Sequence, residues 1–87
     1  MTCRVIWLPQ AMTAYRRLRA ADPDGAKQVT SAVRSLTEEP APQDSTALGR
    51  TGFRRLRHGD YRILYEVDSI DTTISVLHVG RLPPHRR

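Results

Sequence analysis

The sequence predicts an α+β domain of order β-α-α-β-β-β, an antiparallel sheet with a two-helix hairpin packed on one face. Residues 9–39 hold two apolar stripes at helical spacing, and residues 53–79 switch to an alternation of period two. A short apolar run, Val5-Ile6-Trp7-Leu8, precedes both and supplies a first strand. Eighty-seven residues fit one domain, 1–87, with a modest buried fraction.

Residues 3–8 read as a strand that Pro9 ends, because proline suits the first helical position, where its missing N–H costs nothing. Ala11, Ala14, Tyr15, Leu18 and Ala21 then repeat at helical spacing, with Arg16, Arg17 and Arg19 elsewhere. Asp22-Pro23-Asp24 starts a second helix with a capping carboxylate, a proline of fixed φ and another acid in the first turn. Ala26, Val29, Val33 and Leu36 carry its stripe to about Glu39, where Pro40 and Pro42 stop it. Residues 40–52 are rich in Pro, Ser, Thr, Gly and Asp and read as a surface connection anchored by Leu48.

Strands follow at residues 52–57, 60–67 and 73–79, separated by turns at Gly59 and at Asp68-Ser69-Ile70-Asp71; after Gly80 the chain reads as an extended tail. In the middle strand Tyr61, Ile63, Tyr65 and Val67 share the face expected to meet the helices, and Arg62, Leu64 and Glu66 share the other. Phe53, Arg55 and Arg57 share a face of the preceding strand, and the hairpin brings Arg62 to them. Trp7, Tyr15, Tyr61 and Tyr65 read as core by their spacing. Phe53 reads either as a ring for a nucleic-acid base or as edge packing.

Charge is lopsided: 14 Lys+Arg against 9 Asp+Glu give a net +5, and Lys27 is the one lysine. Arginine makes planar bidentate contacts with phosphate and stacks on bases, which points to nucleic acid or an acidic protein as partner. Cys3 is a lone thiol, so neither an intrachain disulfide nor a cysteine zinc site is expected. No apolar run reaches the ~20 residues of a membrane helix, and the start lacks a signal peptide, so a cytoplasmic location is expected.

Phosphate-loop, dinucleotide and zinc-protease motifs are absent, and His58, His78 and His85 lack metal-ligand spacing; no metal or cofactor is expected. What remains, arginines with histidines nearby, suits RNA cleavage by its own 2′-hydroxyl. That reaction needs cations for the phosphorane, a base for the hydroxyl and an acid for the leaving oxygen. Arg55, Arg57, Arg62 and Arg81 are the candidate phosphate holders, and His58 and His85 the candidate proton carriers. His78, inside a strand, reads as a structural histidine. Glu66 shares the parity of Arg62 and reads as a base or as a neutralising partner for an arginine.

Three runs resemble the RelE/ParE toxin superfamily of bacterial type II toxin–antitoxin modules. They are Val5-Ile6-Trp7-Leu8-Pro9-Gln10-Ala11, Arg55-Leu56-Arg57-His58-Gly59-Asp60-Tyr61-Arg62-Ile63-Leu64-Tyr65-Glu66-Val67, and Val76-Leu77-His78-Val79-Gly80-Arg81. The resemblance covers essentially the whole chain. It implies a RelE-like, ribosome-dependent mRNA endoribonuclease that inhibits translation, or alternatively a ParE-like inhibitor of DNA gyrase or a catalytically weak member that binds its antitoxin. It places the family's basic residues on Arg55, Arg57, Arg62 and Arg81. It also implies a cognate acidic antitoxin, RelB-like or Phd/YefM-like, that covers this surface. The chain departs from the family in its tail, Arg81-Leu82-Pro83-Pro84-His85-Arg86-Arg87, which lacks the family's tyrosine. His85 and Arg86 are the residues available to stand in for it, with His58 and Arg86 expected beside the phosphates.

Overall fold

The computed structural model describes residues 2–82. Strand β1 (Arg4–Trp7) leads into helices α1 (Pro9–Ala21) and α2 (Pro23–Ser35), then strands β2 (Ser45–Ala47), β3 (Phe53–His58), β4 (Tyr61–Asp68) and β5 (Thr73–Arg81). The sheet order is β1-β5-β4-β3-β2. The α+β class and the helical hairpin stand as the sequence predicts, with two differences in the sheet. It is mixed, because β1 pairs parallel to β5 while the remaining pairs are antiparallel. The two helices carry the chain back to the end at which β1 began, and a parallel neighbour requires a crossover of that length. A fifth strand, β2, also lies inside the expected surface connection.

Each helix begins as its sequence dictates. Pro9 and Pro23 occupy first-turn positions, and the Asp22 carboxylate accepts the Gly25 N–H at 3.0 Å, capping α2. The second helix ends at Ser35, earlier than Glu39. Leu36, Thr37 and Glu38 each donate a backbone N–H three residues back, so the last turn tightens before the prolines.

The core lies between the helices and one face of the sheet. Leu36, Val29, Ile63, Tyr65, Ile74, Val76 and Val79 are fully buried, each contributing about 1.5–3 kcal/mol of apolar burial. Tyr65 donates its hydroxyl to the Pro40 carbonyl at 2.7 Å, so this ring is buried without orphaning its oxygen. Trp7 meets Tyr15 edge to face at 5.4 Å between ring centroids, joining β1 to α1. Tyr61, Ile63 and Tyr65 are buried while Arg62, Leu64 and Glu66 between them are only half-buried, as their alternation demands.

Two turns set the register. Gly59, at φ 60°, adopts the left-handed conformation that the two-residue β3–β4 loop needs. At the other end Asp68 accepts the N–H groups of Ile70 and Asp71 at 3.0 and 3.1 Å. Among the described residues, no helix is long and apolar enough to cross a membrane.

Candidate functional site

The antiparallel register of β3 and β4 places Phe53 opposite Glu66, Arg55 opposite Leu64 and Arg57 opposite Arg62. Directly paired residues project from the same face, so Arg55, Arg57 and Arg62 converge on the side of the sheet away from the helices. The added strand extends that face, since Thr46 pairs with Arg55. Together Asp44, Thr46, Arg55, Arg57, Arg62 and Leu82 line an open hollow of about 430 Å³.

Arginines on the other face are engaged. Arg54 donates from Nε and Nη2 to Ser45 Oγ, at 3.1 and 2.9 Å. Arg81 pairs in register with Tyr61, which puts it on the helix side, 3.6 Å from Asp22 and 4.0 Å from Asp60. Neither ion pair involves Arg55, Arg57 or Arg62. Among the described residues these three guanidinium groups therefore face one another without a carboxylate within ion-pair distance. Like charges directly opposite on a sheet are destabilising, and an anion in the hollow relieves them.

Asp22 is the hub of the opposite side. Its carboxylate accepts the Tyr61 hydroxyl at 2.5 Å and the Gly25 N–H. The Tyr61 bond above all, then the Gly25 bond, holds the Asp22 carboxyl below its ordinary range; Arg81 adds to this and burial opposes it. The same bond pushes the Tyr61 hydroxyl up, because a carboxylate acceptor favours the protonated phenol. Asp22 thus joins the turn between the helices to the start of β4 and the end of β5.

Of the sequence-predicted site residues, the structure brings together Arg55, Arg57 and Arg62. His58 pairs with Tyr61 and so lies across the sheet, beside Ser35, Leu36 and Glu39 in a separate hollow. Arg81 also lies on the helix side, held by Asp22. His85 and Arg86 lie outside the described residues. Sequence reasoning missed Asp44, Thr46 and Leu82, and it read His78 as structural. His78 is exposed and pairs with Leu64, on the arginine face. Asp44 and Thr46 carried no periodic signal, since β2 is a strand only by virtue of its partner.

A small α+β domain with a helical hairpin on one side of its sheet has the architecture of the RelE/ParE toxins. Residues 5–82 match the model of the ParE toxin of the type II toxin–antitoxin system parDE, and the chain belongs to that family. Among solved structures, it is 31% identical to a chain of the archaeal RelE–RelB complex from Pyrococcus horikoshii, covering 93% of this chain and 96% of that one, at a TM-score of 0.76. A chain of the RelBE toxin–antitoxin complex from Mycobacterium tuberculosis is 27% identical, with coverage of 93% and 99% and a TM-score of 0.79. The isolated Escherichia coli RelE toxin shares the fold at a TM-score of 0.78, with 16% identity over 95% of this chain and 87% of that one. No curated protein sequence matches the chain. The protein is thus a toxin of RelE/ParE type.

Proposed function

We propose that this toxin inhibits translation by cutting messenger RNA on the ribosome, and that a cognate acidic antitoxin neutralises it by covering the same face. The observation that carries the reading is the hollow lined by Arg55, Arg57 and Arg62, without a carboxylate in ion-pair distance among the described residues. Guanidinium groups bind phosphate bidentately and stay charged at all physiological pH values. Three of them around one phosphodiester stabilise the extra charge of a phosphorane as the neighbouring 2′-hydroxyl attacks. In this scheme Arg62, Arg55 and Arg57 converge on the scissile phosphate, and Arg81 braces the strand ends through Asp22. The complexes named RelE–RelB and RelBE among the similar structures support an antitoxin partner.

The test is cleavage of a messenger RNA by purified protein with and without ribosomes. Cleavage only in their presence is expected, and efficient cleavage of naked RNA overturns ribosome dependence. The match to the ParE toxin favours a second reading, inhibition of DNA gyrase by binding. Loss of gyrase supercoiling with the RNA left intact would select it.

A further inference from the structure

Among the described residues, no histidine lines the arginine hollow. Arginine remains charged, and the one carboxylate lining the hollow, Asp44, comes from the connection beside β2. Among the described residues, the histidine on that face is His78. Its partner across β4 is Leu64, and Arg62 pairs with Gly80, so His78 is the diagonal neighbour of Arg62. Diagonal neighbours sit about 7–8 Å apart, within reach of long side chains.

Glycine at position 80 decides where the imidazole lies. A Cβ there would project on the Arg62 side of the sheet and would stand 3.3 Å from His78 Nε2. The ring therefore leans along β5 over the space that a side chain opposite Arg62 would fill. His78 itself borders a neighbouring hollow of about 290 Å³ with Ala14, Arg17, Leu18, Val79, Gly80 and Arg81. The charged residues that line this hollow with His78 are Arg17 and Arg81, and Arg62 is its diagonal neighbour on β4. Among the described residues, no carboxylate lines that hollow.

We infer that His78 is a catalytic residue of this toxin, the base that accepts the 2′-hydroxyl proton from the nucleotide held by Arg62. The inference rests on the endoribonuclease reading above. The 2′-oxygen forms its bond to phosphorus as Nε2 takes the proton, and the phosphorus–O5′ bond breaks. A 2′,3′-cyclic phosphate forms, the departing 5′-oxygen takes a proton from solvent, and His78 returns its proton to solvent. Nothing is oxidised or reduced, and no further reactant is needed.

The experiment is single-turnover cleavage of ribosome-bound messenger RNA by the full chain and by its His78→Ala and His78→Gln variants. Ribosome co-sedimentation and thermal unfolding are measured in parallel. Loss of a general base lowers such a rate by about 10²–10⁴-fold, expected here with ribosome binding and folding unchanged. Imidazole in solution should recover rate in His78→Ala, which leaves a space for it, and not in His78→Gln. Cleavage by His78→Ala at the wild-type rate overturns the inference and leaves the endoribonuclease reading intact. A rate loss that imidazole does not recover also overturns it, assigning His78 a packing role. Wild-type protein that leaves ribosome-bound messenger RNA whole overturns both.

Discussion

On the helix side of the sheet Arg54 donates to Ser45 and Arg81 lies 3.6 Å from Asp22, whereas on the open side Arg55, Arg57 and Arg62 face one another. The same residue type, in the same sheet, has been treated in opposite ways. On the helix side the fold supplies partners: a hydroxyl for half-buried Arg54, and carboxylates for Arg81, whose side chain is 58% exposed. On the open side exposed Arg55 and Arg57 and half-buried Arg62 have no carboxylate within ion-pair distance among the described residues, at a repulsion of a few tenths of a kcal/mol to about 1 kcal/mol for a direct pair. In the proposed reading, that contrast separates residues that hold the molecule together from residues held ready for a ligand.

Adjacent residues of β4 give the largest effect with which to break this comparison. Ile63→Ala removes a fully buried side chain and should cost about 2–5 kcal/mol in urea unfolding. Arg62→Ala, one residue away on the other face, should stay within about 0.5 kcal/mol yet abolish growth arrest on expression. If Arg62→Ala destabilises as much as Ile63→Ala, the two faces are not distinct in role.

A smaller effect is expected at acid pH. The Asp22 carboxyl titrates below its ordinary value of 3.8, so its contribution to stability is fully present above that value. It is lost as pH falls through the lower folded value. Asparagine still caps a helix, so Asp22→Asn should flatten the acid limb of a plot of unfolding temperature against pH. An unchanged limb would show that the Asp22–Tyr61 bond contributes little in solution.

Arg57→Glu sharpens the comparison from the other side. It converts the directly opposed Arg57–Arg62 pair into an attractive one and should stabilise the fold by about 0.2–1 kcal/mol while abolishing RNA binding. Loss of both stability and binding would mean that the arginines are structural. The smallest effect is expected at His58, across the sheet: His58→Ala should leave affinity for a short RNA unchanged in fluorescence anisotropy.

Much of this was legible in the sequence, and the reasons are local. Alternation in β4 separated Tyr61, Ile63 and Tyr65 from Arg62, and a glycine turn fixed the hairpin that aligns Arg57 with Arg62. Parity counting stopped working at β5. There the register shifts between Leu64 and Tyr65, whose partners are His78 and Val76, so Leu77 is an extra residue. Val76 and Val79 are both buried, although their odd separation would put them on opposite faces of a regular strand. Counting in twos from Val76 sends His78 inward, and the bulge turns it outward. His58 was misplaced for another reason, because sequence proximity to the arginines outweighed its parity with Leu56, which is buried. The three residues of β2 have no periodicity to read, and the direction of β1 follows from the length of the helical crossover.

Mapping the 5′ ends of messenger RNA after induction of the wild-type toxin and its Arg62→Ala variant tests most directly whether the open arginine face acts on RNA. New 5′ ends confined to translated regions, present with the wild type and absent with Arg62→Ala, are predicted. Intact messenger RNA in cells that nonetheless stop growing, or the same ends from both proteins, would contradict it.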